Sequence, residues 1–514
     1  MKITFYGAAE TVTGSCFKLT TDNGSNILID CGLFQGSREL KERNYGDFAF
    51  DPSEIDVVLL THAHIDHSGL IPKLSNKGFQ GKIFTTNVTK ELCSIMLPDS
   101  GHIQEMEVER KNRKLARANK PLLDPIYTVE DAEKCMGQFV GVAYNTPVEI
   151  LPEIKTIFKD AGHILGSAMI ELYVEGKKIL FSGDIGNNDQ PIINDPTIID
   201  QADFVIMEST YGNRFHLETE DKATQLVQII NKTIRKGGNL IIPAFAIERT
   251  QDLIYHLKKI VNSDLIPKID IYIDSPLAIR ATEIFCKYPD FYDEDATKLK
   301  EEENQCIFDF PGLKYTLSAD ESKAINFLKN NNIIISASGM CDAGRIKHHL
   351  KHNLWKSQTT VLFVGYQAQG TLGRKILDGE KVVRIHGEEV AVNADIENIE
   401  GFSAHADQKA LVEWVQKFKD KPEKIFLVHG EPEGMQMLAK VIKDETKNNV
   451  LIPKVGETIE LIRSKETVAE VSDFEKEISK TFELFESKLQ DILNNSGNST
   501  KILEELDKLK TKIK

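Results

Sequence analysis

Three histidines and an aspartate crowd into six positions at Thr61-His62-Ala63-His64-Ile65-Asp66-His67-Ser68-Gly69, directly after the apolar run Val57-Val58-Leu59-Leu60. A solvated loop has no reason to concentrate imidazole so densely. Imidazole with carboxylate is the donor set that Zn²⁺ takes where no thiolate is offered. The β-branched run before the cluster predicts a strand, so the chain must build a sheet that carries a metal loop at a strand end. Ile27-Leu28-Ile29-Asp30 and Lys178-Ile179-Leu180-Phe181-Ser182-Gly183-Asp184 repeat the design of an apolar run closing on a polar turn. In α/β sheets the mouths of such strands are where catalytic groups collect.

Three more residues fit the same scheme. His163 lies in the Gly-flanked turn Asp160-Ala161-Gly162-His163-Ile164-Leu165-Gly166-Ser167, Asp184 follows its strand, and His429 ends Lys424-Ile425-Phe426-Leu427-Val428. Singly, each has an ordinary reading as a satisfied buried histidine or a turn aspartate. With the His62–His67 loop they make seven donors, enough for two metals sharing one carboxylate. Asp30, at its own strand end, is placed to accept a hydrogen bond from a ligand imidazole and fix its orientation.

A chain of 514 residues is too long for one ordinary core and suggests two or three domains. No apolar run approaches the roughly 20 residues that span a bilayer, so no membrane partner is expected. Met1-Lys2-Ile3-Thr4-Phe5-Tyr6-Gly7 reads as a first strand rather than a signal peptide. Seven scattered cysteines, none in a CxxC pair, read as reduced thiols of a cytoplasmic protein and argue against a sulfur-ligated metal. A net charge of −15 excludes a protein that coats nucleic acid through a basic surface, but not a nuclease whose cations are local.

Short strands and turns fill residues 1–215, with helices expected at 86–96 and 101–119. A second α/β pattern occupies 216–374, and short strands return over 375–462. Residues 463–514 read as a helical hairpin broken at Asn494–Ser499, a solvated cap first and an element joining two copies second, so a homodimer is among the expectations.

The His62-Ala63-His64-Ile65-Asp66-His67 loop with His163, Asp184 and His429 resembles the metal motifs of the metallo-β-lactamase fold, an αββα sandwich. Glu208 in Met207-Glu208-Ser209-Thr210-Tyr211-Gly212 and His405 in Phe402-Ser403-Ala404-His405-Ala406-Asp407 resemble two further motifs of the β-CASP subgroup, and His429 the third. That subgroup includes RNase J-type enzymes and the nuclease subunit of the cleavage and polyadenylation machinery; the loop form here is closer to the latter. The resemblance covers roughly residues 1–460. It implies an α/β chain in which 1–215 and 375–462 form the metallo-β-lactamase domain, 216–374 an inserted α/β β-CASP domain, and 463–514 a helical extension. It also implies that His62, His64 and His163 hold one Zn²⁺ and Asp66, His67 and His429 a second, with Asp184 bridging.

The chemistry implied is hydrolysis of RNA by two-metal in-line attack at phosphorus, leaving 5′-phosphate and 3′-hydroxyl ends. His405 is then the candidate general acid for the leaving 3′-oxygen, with Glu208 orienting it and keeping it protonated. Asp66 stands beside the nucleophile as well as on a metal. On the substrate side, Ser338, Gly339, Arg345 and His348 in the small-residue stretch after strand 333–336, Arg374 after a second Gly-punctuated loop, and Arg249 are candidate phosphate contacts. A small-molecule hydrolase of the same fold would need the histidine loop but neither the insert nor Glu208 and His405. A DNA-directed β-CASP nuclease typically lacks the histidine matched by His429. A silent scaffold subunit would have lost ligands, and a diiron protein would favour Glu at His64.

Overall fold

The computed structural model describes residues 1–216, 222–329, 331–399 and 402–462. Met1 to Leu461 form one compact unit. The helical hairpin expected over 463–514 lies outside the described residues.

Two seven-stranded sheets face one another. The first is ordered Thr458–Glu460, Lys2–Phe5, Phe17–Thr20, Asn26–Ile29, Val57–Leu59, Lys82–Thr86 and Phe139–Val142. The second is ordered Val450–Leu451, Lys424–Val428, Phe204–Glu208, Lys177–Phe181, Ala168–Val174, Ile154–Asp160 and Val148–Leu151. Period-2 alternation sorts their side chains into layers. Ile27, Ile29, Val57 and Leu59 point inward to Ile179, Phe181, Ile206 and Phe426, making the core between the sheets. Leu28, Val58 and Ile83 point outward under the helix Asn87–Arg117. Leu180, Val205, Met207 and Leu427 do the same beneath Gln408–Gln416 and Pro432–Thr446. Full burial of each such side chain contributes about 1.5–3 kcal/mol, and covering both faces of both sheets gives the αββα layering.

A third, six-stranded sheet contains Leu313–Tyr315, Ile271–Ile273, Ile333–Ser336, Leu240–Pro243, Thr360–Phe363 and Asp395–Asn398 in that order, with every pairing parallel. Its central strands are buried at every position and apolar save for Ser336 and Thr360, as suits strands with helices on both faces. Asp395–Asn398 pairs with Thr360–Phe363, so this sheet extends past residue 374, where the sequence placed its end.

One helix, Asn87–Arg117, replaces the two expected at 86–96 and 101–119. The gap expected between them holds Pro98, which the helix carries in its interior, and Gly101 is small where a neighbouring segment approaches, a β-carbon there lying 3.0 Å from Val129 N. The expectation of seven reduced thiols is also corrected. Cys286 and Cys306 form a disulfide inside the inserted domain, and the other five cysteines are free and buried. Their partnership is set by a Cα separation of 5.4 Å that a spacing of 20 residues does not announce. No helix among the described residues is long and apolar enough to cross a membrane.

Candidate metal centre

In each seven-stranded sheet, part of the ladder is parallel. Asn26–Ile29 runs with Val57–Leu59, while Lys177–Phe181, Phe204–Glu208 and Lys424–Val428 run together. Parallel strands end at the same edge, so Asp30, the 61–69 loop, Asp184, Glu208 and His429 gather there. The chain turns sharply at these ends: Asp30 has φ +57° and His429 φ +50°, an uncommon conformation for residues with a β-carbon.

His62 Nε2 and His163 Nε2 each stand 3.2 Å from His64 Nδ1 and 3.5 Å from Asp184 Oδ2. On the other side, Asp184 Oδ1 lies 3.3 Å from His67 Nε2 and 3.6 Å from His429 Nδ1. His67 Nε2 and His429 Nε2 are 3.3 Å apart, and Asp66 Oδ2 is 3.4 Å from His429 Nε2. Each oxygen of Asp184 thus faces a separate donor group, and the ligand atoms in each group lie within 4.8 Å of one another.

The arrangement fits cations. A tetrahedron with 2.0–2.1 Å metal–nitrogen bonds has edges of about 3.3–3.4 Å, the spacing these donors show. Asp184 Oδ1 is buried and has no hydrogen bond, a costly state for a carboxylate oxygen unless a positive charge faces it. Burial pushes the His62 imidazole down to about 3, with the neighbouring His67 charge adding to the effect, and burial pushes His64 down to about 4. Burial, with His405 beside it, holds His163 well below the usual imidazole range. All three are therefore neutral and offer lone pairs. Burial alone would raise Asp184, but the imidazoles around it, His429 and His67 first, outweigh it and hold the carboxyl well below its ordinary value.

Asp30 is buried against this shell. It accepts from Thr61 N at 2.8 Å and Thr61 Oγ1 at 2.9 Å, and its Oδ2 lies 2.7 Å from His67 Nδ1. Thr210 does the equivalent for His429, with Oγ1 3.0 Å from Nδ1.

His405 Nδ1 lies 3.2 Å from Glu208 Oε1 and 4.0 Å from Asp184 Oδ2. Glu208 is fully buried and is fixed by the Ile185 and Thr210 amides at 2.6 and 3.3 Å. Burial alone would lower His405, but the Glu208 charge and hydrogen bond raise it to about 9. These residues with Asp184 form a third group that could ligate a metal. His405 Nδ1 is already committed to the buried Glu208 carboxylate, which sets this imidazole apart from the histidine clusters of the two groups above.

Residues 11–83 match the metallo-β-lactamase superfamily, 250–376 the Beta-Casp domain, and 389–453 the Zn-dependent metallo-hydrolase RNA specificity domain. A ribonuclease of Thermus thermophilus is 36% identical over 442 residues, 86% of this chain and 96% of that one. An RNase J-like protein of Methanocaldococcus jannaschii is 32% identical, covering 88% of this chain and 98% of that one. The chain belongs to the β-CASP branch of the metallo-β-lactamase superfamily. Transcription termination factor FttA of Methanosarcina mazei is 31% identical over 87% of this chain and 70% of its own length. A crystal structure of a protein of unknown function from Enterococcus faecalis V583 shares the fold, with a TM-score of 0.51 at 14% identity over 89% of this chain and 99% of that one.

The β-CASP insert treats the expected phosphate contacts differently. Arg249 is buried, bonded to Asp252 at 2.9 Å, with its guanidinium 5.8 Å from the Phe402 ring centre. Arg345 donates to Asp274 at 2.7 Å and to the Thr316 and Leu317 carbonyls. Arg374 makes a two-point pair with Asp378, both contacts at 2.9 Å. His348 stacks on His386 at 4.5 Å, and Ser338 Oγ bonds within its own loop to Ala343. Gly339 packs where a β-carbon would stand 2.7 Å from the Phe245 ring. The three arginines are neutralised by carboxylates distant or local in sequence, so none stands free as expected. Sequence reasoning missed Thr61, Thr210, Arg214 and His216. The last donates through Nε2 to the His405 carbonyl at 2.9 Å. The signal was present, since a cation and a histidine follow Glu208 within eight positions at Tyr211-Gly212-Asn213-Arg214-Phe215-His216.

Proposed function

We propose that this β-CASP metallo-hydrolase is a zinc-dependent ribonuclease that hydrolyses phosphodiester bonds of RNA and leaves 5′-phosphate and 3′-hydroxyl ends. The observation that carries the reading is Asp184, whose two oxygens face two donor groups beside the His405–Glu208 pair. The RNA specificity domain matched by residues 389–453 and the ribonucleases among the relatives support RNA as the substrate.

In this reading His62, His64, His163 and Asp184 would hold one Zn²⁺, and Asp66, His67 and His429, with Asp184 shared, would hold the other. When bound, such a pair supplies a water nucleophile at neutral pH and offsets charge on the phosphoryl oxygens. The chain's own groups do the rest. Asp30 and Thr61 fix the His67 and His62 rings, and Thr210 fixes His429. His405 Nδ1 is committed to Glu208, which leaves Nε2 to deliver a proton to the 3′-oxygen as the P–O3′ bond breaks. Water then contributes the oxygen of the new 5′-phosphate, and its proton replaces the one His405 gave.

The test is cleavage of 5′-labelled and 3′-labelled RNA by wild type and Asp66→Ala, with matched DNA alongside. Cleavage of RNA by wild type alone is expected, with 5′-phosphate ends. Equal cutting of DNA would refute the RNA assignment, and full activity in Asp66→Ala would refute the metal assignment.

A further inference from the structure

With a net charge of −15, this chain needs cations that are local and free to attract RNA. Arg249, Arg345 and Arg374 are paired with Asp252, Asp274 and Asp378. Arg214 is different. Its guanidinium sits 5.3 Å from the Tyr211 ring centre and 5.1 Å from the Tyr366 ring centre, it is exposed, and no carboxylate among the described residues pairs with it. Two aromatic faces hold a cation in place without neutralising it.

The placement is as telling as the charge. Tyr211, which carries Arg214, also packs edge-on against His405, with ring centres 5.9 Å apart. Tyr366 reaches in from the β-CASP insert and donates its hydroxyl to Glu431 at 3.0 Å, two residues past His429. The clamp is therefore built from three separate stretches of chain, all converging beside the proposed acid and one donor group.

We propose that Arg214, clamped by Tyr211 and Tyr366, is a substrate-positioning residue that grips a backbone phosphate flanking the scissile one. The inference rests on the ribonuclease reading and deepens it by naming how the strand is registered. A guanidinium presents paired donors to phosphate oxygens, and the tyrosine rings leave those donors open.

The test combines Arg214→Ala with single-stranded RNA whose linkages flanking the cleavage point are either phosphates or uncharged methylphosphonates. On all-phosphate RNA, Arg214→Ala raises KM on the order of 10- to 100-fold with kcat little changed. It also flattens the dependence of log KM on log salt by about 0.7. On the methylphosphonate RNA the two enzymes differ little, because the charge that Arg214 reads is gone. Tyr366→Phe keeps the ring and stays near wild type, whereas Tyr366→Ala approaches Arg214→Ala. An Arg214→Ala enzyme with wild-type KM and salt slope overturns the proposal. So does an undiminished penalty on methylphosphonate RNA, which would make Arg214 a prop for the His405 loop. Failure of the wild type to cut RNA would instead bring down the ribonuclease reading, and this inference with it.

Discussion

Substituting Gly186 by alanine tests the metal centre without touching a ligand. A β-carbon on residue 186 would stand 1.6 Å from the Gly162 carbonyl oxygen and 2.9 Å from the His163 amide nitrogen. Real β-carbons do not approach other heavy atoms closer than 3.0 Å, so the two segments must part by about 1.4 Å. One of them carries His163. The other carries Asp184 and, through the bridge from Gly186, meets His405. Whichever gives way, a donor leaves a group whose members must hold their places to within about 0.2 Å for metal binding. We expect Gly186→Ala to lose the ion proposed for His62, His64 and His163, and to lose cleavage by about 10²-fold or more. The assay is metal analysis of the purified protein beside RNA cleavage. Gly176→Ala serves as control, because a β-carbon there meets nothing within 4 Å although φ is +69°. Full metal content and activity in Gly186→Ala would refute the reasoning, since the clash is with backbone that no rotamer change can relieve.

His405→Ala should lose cleavage while keeping its metal; zinc lost in that variant would move His405 into the ligand set. The protonated His405 must be present for leaving-group departure, so kcat falls as pH rises through its pKa. Glu208 raises that pKa, and Glu208→Gln should move the basic limb of the kcat profile to lower pH; an unmoved limb counts against the acid role. Asp274 is fully buried and accepts from Arg345, His349, Ser322 and Thr316 at 2.6–2.7 Å. Asp274→Ala takes the shared carboxylate from these donors, leaving Arg345 only the Thr316 and Leu317 carbonyls, and should cost about 3–5 kcal/mol, read as a lower urea midpoint; an unchanged midpoint would show that Asp274 is not the hub of the insert. Chelation should abolish cleavage and lower the melting temperature, both restored by Zn²⁺, because Asp184 Oδ1 is otherwise buried without a partner; a protein indifferent to chelator would contradict the fit of the site.

The α/β layering and the insert were legible because all-apolar runs such as Ile27–Ile29 and Leu240–Ile242 announce strands buried on both faces. The last strand of the insert was not. Asp395–Asn398 reads Asp-Ile-Glu-Asn, and at the sheet edge its Asp395 and Glu397 face Lys232 and Lys236 rather than a core. The residues proposed as metal donors could be singled out in the sequence because polar residues that end apolar strands, and so dense a histidine loop, are locally anomalous. Which arginines are free could not. Arg345 looks available until Asp274, 71 positions away, is folded against it.

The amino-acid order by itself dictated which side chains are chemically equipped for metal and proton transfer. It also announced the buried apolar strands, since residue type and short-range pattern mark them. Only the folded chain decided which of those groups meet. Parallel strands from distant stretches bring their ends to one edge, setting Asp184 between two clusters of histidines. Long-range packing also pairs Arg345 with Asp274, whereas Arg249 and Arg374 meet carboxylates three and four positions on, and Arg214 is left exposed between two tyrosines. Pairing across hundreds of residues is a property of distance in space, and no local pattern encodes it.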